Sequence, residues 1–299
     1  MTISSGHSGT KDVIAHWGDQ IDRAIDRYCS VELTGPTGLR DAMRYSLESG
    51  GKRLRPVLTL LSAQACGGSL EQAMIPAVAV EMVHTFSLIH DDLPAMDDDD
   101  LRRGRPTSHK VYGEAMAILA GDALLIFAFE LLAKHIQPPQ LAARMCAELA
   151  EAGGPGGMTG GQAMDMDYQN GKNDPAVMEQ IHLLKTAAMI RCSTRLGALA
   201  AGTNQTNVEL LGQYGTKLGL AFQIVDDLLD VTGTRETVGK HTGKDAGAGK
   251  PNYAVLLGVD RAKARADALI AEAIAALDPL GQSAEPLREL AQFVLGREN

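Results

Sequence analysis

The residues with the clearest chemical potential in this sequence are aspartates that occur in two groups. The first group lies in the stretch LIHDDLPAMDDDDLRRG, residues 88–104, where Asp91 and Asp92 end an apolar, helix-like run and Asp97 opens a row of four. Carboxylates are unfavourable at a helix C-terminus because of the helix dipole, which argues for a bound cation. An acidic turn exposed to solvent remains the alternative from this stretch alone.

The second group lies inside an apolar, helix-like segment, LAFQIVDDLLDV at residues 220–231. Gln223, Asp227 and Asp230 follow the i, i+4, i+7 spacing of one helical face, and Asp226 precedes Asp230 by four residues. Like charges on one face repel, and burial raises the cost further, so a compensating cation would resolve both problems. An exposed acidic stripe on an amphipathic helix is the alternative.

All of these candidate ligands carry oxygen donors, and neither Cys nor His accompanies them at zinc spacing. Oxygen donors favour hard cations, so the expected ion is Mg²⁺, with Mn²⁺ as an alternative. Mg²⁺ held by a few carboxylates takes its remaining ligands from water and substrate phosphate. The two aspartate groups therefore predict a diphosphate-binding site.

A basic segment upstream, SGGKRLRP at residues 49–56, supplies candidate groups for binding phosphates. Its two glycines let the backbone approach a ligand closely, and Lys52, Arg53 and Arg55 offer cationic donors. A basic turn that caps a helix is the alternative. Further cations that are either phosphate ligands or ordinary surface residues are Arg102, Arg103, Lys185 and Lys240.

Helical periodicity dominates the segments that must position these side chains, and no segment alternates like a strand, so the expected fold class is all-α. Residues 1–11 are rich in Ser, Gly and Thr and are expected to be disordered, and residues 12–299 to form one domain. Residues 231–252 are expected to form a functional loop. The predicted helices are 11–30, 37–49, 55–66, 71–92, 112–136, 138–153, 158–170, 176–202, 205–232, 260–277 and 284–297.

Composition narrows the functional classes. The 299-residue chain has a formal net charge of −9, which argues against non-specific binding to nucleic acid or to an anionic membrane. Its four cysteines are far apart and form no CxxC pair, as expected for buried thiols in a reducing cytoplasm. The longest apolar stretch noted, MIPAVAVEMVHTFSLI, is shorter than a membrane span needs, so we expect a cytoplasmic protein without membrane insertion.

Taken together, the motifs resemble those of the short-chain trans-prenyl diphosphate synthases, closest to the bacterial farnesyl diphosphate synthases. The strings that carry the resemblance occur in family order between residues 49 and 253, and they are GGKRLRP, EMVHTFSLIHDDLPAMDDDDLRRG, GGQAMDMD, KTAAMIR and FQIVDDLLD followed by GK. The resemblance implies a single-domain bundle of ten or more helices around a central cavity, the class I isoprenoid synthase fold, usually as a homodimer. It also implies condensation of isopentenyl diphosphate with the allylic diphosphates, dimethylallyl and then geranyl.

The resemblance assigns roles to the candidate residues. About three Mg²⁺ ions would bind the allylic diphosphate through six aspartates. These are Asp91, Asp92, Asp97, Asp226, Asp227 and Asp230. Cations that would hold the same diphosphate are Arg102, Lys185 and Lys240, and those for isopentenyl diphosphate are Lys52, Arg55, His84 and Arg103, with Arg53 as a further substrate-binding candidate. Thr186 and Gln223 would lie near the reacting carbons. Gln162 and Asp165 would line the allylic side.

Product length in the family depends on the residues just before the first aspartate motif. Phe86 lies five residues before Asp91, and a bulky aromatic there resembles the producers of farnesyl diphosphate. A geranylgeranyl or geranyl diphosphate synthase is the alternative, and a terpene cyclase or a non-catalytic synthase subunit is a more distant one. The chain departs from the family pattern after Lys240. The family commonly has a further lysine followed shortly by Thr-Tyr-Pro, whereas here Lys250 is followed by Pro-Asn-Tyr-Ala at residues 251–254.

Overall fold

Helices account for most of the chain that the computed structural model describes, which is residues 7–168, 174–232 and 252–297, with side chains from residue 16 onward. The first helices are α1 His7–Val31, α2 Thr37–Leu47, α3 Leu54–Ala65, α4 Leu70–Asp91, α5 Ser108–Tyr112, α6 Glu114–His135 and α7 Pro139–Gly153. The others are α8 Met158–Tyr168, α9 Pro175–His182, α10 Ala188–Ala200, α11 Gln205–Thr232, α12 Tyr253–Leu257, α13 Val259–Ala276 and α14 Glu285–Leu295. The expected all-α class, with ten or more helices, is confirmed.

Irregular elements interrupt the helices at three places. Strands β1 (Leu101–Arg102) and β2 (Arg105–Pro106) form a short antiparallel hairpin, which the sequence did not indicate because two residues per strand carry no alternation. A π-helical turn, Leu183–Ala187, joins α9 to α10 where one continuous helix was predicted. A 3₁₀ segment, Asp278–Ala284, precedes α14.

The N-terminal boundary also differs from the prediction. Helix α1 begins at His7, four residues before the predicted start at residue 11. The Ser- and Gly-rich composition does not end the helix, because one glycine inside a helix costs only about 1 kcal/mol. Of the predicted loop 231–252, only its ends are described, and residues 233–251, with Lys240 among them, lie outside the described residues.

Helix α4 lies at the centre of the bundle and carries the first aspartate motif at its end. A capping box between Ser69 and Gln72 starts the helix, since each side chain binds the other residue's main-chain amide. The side chains of residues 77–80 and 82–83 are fully buried, so this stretch is covered on all sides, by α3, α6 and α10 among others. The packing directs the last two turns of α4 into the central cavity.

Two glycines allow neighbouring helices to approach the central helices closely. A Cβ atom at Gly197 of α10 would overlap the carbonyl oxygen of Thr59 in α3. A Cβ atom at Gly121 of α6 would overlap the imidazole of His90, which lies in the last turn of α4 and lines the cavity. Both contacts bring helices closer than a larger residue permits, and the second one places α6 against the end of α4.

Helices α4 and α6 are long and apolar enough to cross a membrane, contrary to the expectation from the sequence. Length and composition are weak evidence by themselves, because a core helix of a soluble protein has the same properties. Two thirds of the apolar window of α4 is buried inside the bundle, as a core helix requires. The corresponding window of α6 is 44% buried, and its outer face exposes Leu119 and Ile126.

Candidate active site

The first aspartate motif folds back on itself immediately after α4. Helix α4 ends at Asp91, and the main-chain N–H of Asp97 then donates to the carbonyl of Asp91 at 2.9 Å. The N–H of Asp99 donates to the carbonyl of Asp92 at 3.2 Å. A break at Pro94 therefore returns Asp97 to the neighbourhood of Asp91, which an uninterrupted helix would prevent.

Burial leaves the charge of Asp91 poorly compensated. Desolvation raises the pKa of Asp91 to about 6, Lys185 opposes this shift, and the nearby carboxylate of Asp97 adds to it. Asp92 differs, because Arg102 Nε and Nη2 contact its Oδ1 at 2.8 and 2.7 Å. Arg102, predicted to hold the allylic diphosphate, is therefore paired with Asp92 in this structure, and its role toward a diphosphate stays a prediction.

The second aspartate motif lies on α11, close to the π-helical turn. Thr186 Oγ1 donates to Gln223 Oε1 at 2.9 Å, so the two residues predicted near the reacting carbons lie together. Gln223 Nε2 in turn donates to Asp227 Oδ1 at 3.3 Å. Desolvation raises the pKa of Asp227 to about 6, hydrogen bonds from Tyr253 and Gln223 oppose this, and Asp230 and Asp226 add to it.

The carboxylates suit a hard cation without forming a complete cage on their own. Among the described residues, no three His, Cys, Asp or Glu side chains are close enough together to hold a metal ion. Mg²⁺ held by a few carboxylates takes its remaining ligands from substrate phosphate and water. Because burial makes ionised Asp91 and Asp227 costly, a divalent cation that compensates them would stabilise the site. These two residues, with Asp97, fit Mg²⁺.

A cluster of cations lies on the other side of the cavity. Arg55 Nη1 is 3.2 Å from His84 Nε2, and the Nε atom of Arg55 is buried without a hydrogen-bond partner. Burial lowers the pKa of Arg103, Lys52 and His84, and neighbouring arginines lower it further. A set of like charges around a cavity, with one buried donor that has no partner, is suited to an anion, and a diphosphate supplies several acceptor oxygens.

Arg53, predicted as a further substrate-binding residue, lines the polar cavity but is paired with acidic side chains, and its role toward a substrate stays a prediction. Its guanidinium contacts Glu81 Oε1 at 2.7 Å and Asp22 Oδ1 at 2.8 Å, and its Nη2 donates to the carbonyl of Leu47. The side chains of Arg53 and Glu81 are each only 3% exposed. Arg53 has a left-handed backbone, with φ of 46°, whereas Lys52 and Arg55 do not.

Removing one partner of this buried pair should destabilise the fold. We expect Arg53→Met to lower the free energy of unfolding by about 3–5 kcal/mol, because Glu81 would remain buried and uncompensated. Urea unfolding followed by circular dichroism measures the change. Arg44→Met is the control, because its pair with Asp26 is solvent-exposed and should cost less than about 1 kcal/mol. Equal losses in the two variants would contradict the structural role of Arg53.

Residues with a left-handed backbone occur in the basic segment and in the first aspartate motif. Among the described residues other than glycine, positive φ angles occur at Arg53 (46°), Asp98 (50°) and Arg103 (54°). Each conformation costs about 1–3 kcal/mol, and such strain is typical of functional sites. Arg103 also donates from Nη1 to the carbonyl of Gly50, so the hairpin after the first aspartate motif is joined to the basic segment. Gly50 and Arg103 are 53 residues apart in the sequence, so this hydrogen bond brings the two motifs together in one site.

Two adjoining parts form the central cavity. One has a volume of about 560 Å³ and is polar, with Lys52, Arg55, Arg103 and Gln223 among its lining residues. The other, of about 550 Å³, extends from Asp91 along apolar side chains. Arg55, His84, Leu88 and Thr186 line both parts. The residues that line only the apolar part include Phe86, His90, Met96, Ile118, Met158, Gln162 and Met166.

Several contacts of the site were not predicted from the sequence. Lys185 Nζ donates to Asp165 Oδ2 at 2.7 Å, so the two family-motif residues pair with each other. Arg297, near the C-terminus, contacts Asp226 Oδ1 at 2.7 Å and lies over the ring of Phe222. Asn252 and Tyr253 contact Asp227. No nearby sequence motif identifies these partners. Tyr253 does match the tyrosine of the family's Thr-Tyr-Pro, but that match does not indicate a contact with Asp227.

The helical bundle, the two aspartate motifs and the facing cationic cluster define a trans-prenyl diphosphate synthase, a prenyltransferase. A model of the polyprenyl synthetase family matches residues 36–286. The chain belongs to the polyprenyl synthetase family.

Relatives and solved structures agree with this family. A dimethylallyltranstransferase of Fischerella ambigua is 44% identical over 289 residues, covering 96% of this chain and 83% of the relative. The farnesyl diphosphate synthase of Geobacillus stearothermophilus is 47% identical over 246 residues, covering 81% and 82%. The geranylgeranyl diphosphate synthase of Cyanophora paradoxa is 42% identical over 274 residues, covering 90% and 91%. The crystal structure of an FPP/GFPP synthase from Zymomonas mobilis superposes with a TM-score of 0.85 at 35% identity, covering 97% of this chain and 100% of that one.

Proposed function

We propose that this protein condenses isopentenyl diphosphate with dimethylallyl and then geranyl diphosphate to make farnesyl diphosphate. The observation that carries the product assignment is Phe86, whose ring lines the apolar cavity one turn before Asp91. A bulky group there limits the length of the growing chain. Relatives are named both farnesyl and geranylgeranyl diphosphate synthases, so the assignment depends on this residue and on the cavity around it.

The polar part of the cavity provides the binding groups for two diphosphates. Lys52, Arg55, His84 and Arg103 line one cationic, anion-binding subsite, which suits isopentenyl diphosphate. Asp91, Asp97 and Asp227 would hold Mg²⁺ at the allylic diphosphate. When bound, the metal would act as a Lewis acid toward the departing diphosphate, an effect worth several kcal/mol. Lys185, beside Asp91, lies where it can contact the same group.

The proposed reaction balances without a protein nucleophile. The allylic C–O bond breaks, and its electron pair leaves with the diphosphate. The double bond of isopentenyl diphosphate then attacks the allylic cation, and a proton is lost to the released diphosphate, as the family resemblance implies. Thr186 and Gln223, hydrogen-bonded to each other, would border the reacting carbons. The apolar wall excludes water, which would otherwise trap the cation.

A terpene cyclase is the competing assignment on the same fold. Such an enzyme binds one diphosphate, and the second cationic subsite around Arg55 and Arg103 would then have no use. A non-catalytic subunit is also disfavoured, because the aspartates of both motifs are present. The cationic cluster is therefore what separates chain elongation from the alternatives.

The outer face of α6 supports assembly as a homodimer. Leu119 and Ile126 are 53% and 66% exposed, and their seven-residue spacing places them on one face of the helix. Exposed apolar patches of this kind mark interaction sites, and a second copy would cover them. Sedimentation equilibrium should therefore give twice the chain mass of 31.7 kDa, and a monomer at micromolar concentration would contradict this assignment.

The function is tested with purified protein, Mg²⁺, isopentenyl diphosphate and each of the C5, C10 and C15 allylic diphosphates. Products are sized by chromatography after dephosphorylation. We expect C15 product from the C5 and C10 primers, with little use of the C15 primer. Elongation to C20 would transfer the assignment to geranylgeranyl diphosphate, and no elongation from any primer would refute the synthase assignment.

A further inference from the structure

The segment that follows residue 251 starts helix α12 and replaces the usual Thr-Tyr-Pro of the family with Asn-Tyr-Ala. Asn252 is the N-cap of α12, because its Oδ1 accepts from the main-chain N–H groups of Ala254 and Val255 at 2.9 and 3.2 Å. Asn and Thr are both favoured N-cap residues, so the substitution retains the local structure. The position of Tyr253 is therefore determined by an intact helix start.

This helix start contacts Asp227 directly. The main-chain N–H of Tyr253 donates to Asp227 Oδ2 at 2.8 Å, and Asn252 Nδ2 donates to the Asp227 carbonyl at 3.1 Å. Gln223 contacts the other carboxylate oxygen. The first N–H groups of a helix have no partner within the helix, so the amide of Tyr253 is available for this bond. The carboxylate is held between α11 and α12.

The far side of Tyr253 is anchored to two other helices. Its hydroxyl donates to Glu179 Oε2 at 2.8 Å, and Arg265 Nη2 donates to Glu179 Oε1 at 2.9 Å. The tyrosine is only 4% exposed, and its ring lies 5.8 Å from that of His182. Helices α9 and α13 thereby determine where the first residue of α12 sits.

We propose that Tyr253 and Glu179 are positioning residues that orient the carboxylate of Asp227 for metal binding. The inference rests on the proposed function, since Asp227 is there assigned to Mg²⁺. Tyr253 does not reach the cavity lining, so it acts through its main-chain amide. Losing the anchor at Glu179 lets the start of α12 shift and widens the range of Asp227 orientations. The metal then binds a less preorganised ligand.

The test compares Tyr253→Phe with Tyr214→Phe by two measurements that need no turnover. Tyr214 is fully buried in the same helix as Asp227, and its hydroxyl donates to the carbonyl of Leu287 at 2.7 Å, so its removal also costs one buried hydrogen bond. Mn²⁺ binding is measured by electron paramagnetic resonance with inorganic diphosphate present. Hydrogen exchange reports the protection of the Tyr253 amide.

We expect Tyr253→Phe to weaken Mn²⁺ binding by about fivefold to tenfold and to speed exchange of residue 253 similarly, as loss of about one hydrogen bond predicts. Tyr214→Phe should lower thermal stability and leave both measurements unchanged. Glu179→Ala should match Tyr253→Phe, while Glu179→Gln, which keeps an acceptor, should retain most of the affinity.

The outcomes separate the inference from the function on which it rests. Parent protein that binds no Mn²⁺ with diphosphate overturns both. Parent protein that binds, together with unchanged binding in Tyr253→Phe, overturns the positioning role alone. An equal loss in Tyr214→Phe would also overturn it, because general loosening of the bundle would then explain the effect.

Discussion

Asp91→Asn is expected to lower kcat/KM by about a thousandfold or more at saturating Mg²⁺, because the site loses one anionic metal ligand. Metal assistance to a departing diphosphate is worth several kcal/mol, and about 4 kcal/mol corresponds to a thousandfold in rate. Asn preserves the size and the hydrogen-bonding shape of the side chain, so the helix end should persist. Initial rates of product formation with isopentenyl and geranyl diphosphates measure the loss, and circular dichroism checks the helical content.

Asp98→Asn is the matched control within the same motif. Asp98 is exposed and has a left-handed backbone with φ of 50°, a conformation that Asn accommodates well. The control should keep nearly the parent rate. A variant at Asp91 that retains more than about a tenth of the parent kcat/KM, which is a loss of less than about 1.4 kcal/mol, would refute its assignment as a metal ligand.

The same substitution should raise the stability of the metal-free protein at neutral pH. The folded-state pKa of Asp91 is raised from 3.8 to about 6, so its ionisation destabilises the fold. The free energy of unfolding of the parent should therefore fall as pH rises from about 4 through about 6, and Asn at residue 91 removes that contribution. This opposite effect on stability and activity is typical of a residue whose charge serves a ligand.

The parts of the site that the sequence predicted are those that local geometry determines. Helical spacing places Gln223 and Asp227 on one face, and the hydrogen bond between them realises that spacing. A proline that interrupts a helix likewise lets the following residues turn back, as Asp97 does toward Asp91 after Pro94. Both inferences depend only on the period of a helix and on its interruption, which a short stretch of sequence contains.

The partners that the sequence did not predict come from distant segments. Arg297 reaches Asp226 from 71 residues further along the chain, and Tyr253 reaches Asp227 from 26 residues further along. Which charges meet across such distances depends on helix packing, and the spacing of residues in the chain carries no such information. Arg53 shows the same limit, since Lys52, Arg53 and Arg55 look alike in the sequence. Of the three, Arg53 has a left-handed backbone and pairs with the buried Glu81 at the wall of the polar cavity.

Phe86→Ala is expected to change the main product from C15 to C20 or longer. Phe86 lines the apolar cavity of about 550 Å³, and its ring packs edge-on against His90 with centroids 5.5 Å apart. His90 is itself held by the carbonyl of Ile118 on α6, so the phenyl ring has a supported position in the wall. A phenyl ring occupies about the room of one five-carbon isoprene unit, so its loss leaves space for one more addition.

The measurement is the distribution of product lengths from geranyl diphosphate and excess isopentenyl diphosphate, after dephosphorylation. Phe129→Ala is the matched control, because it removes an equal ring from α6 that packs against the core and does not line the cavity. The control should be less stable and should still make C15 product. An unchanged C15 product from Phe86→Ala would place the length stop elsewhere in the wall, whereas longer products from both variants would indicate a general loosening of the bundle. Because Phe86 borders the apolar cavity and Phe129 does not, a change confined to the Phe86 variant would identify that ring as the group that limits chain length.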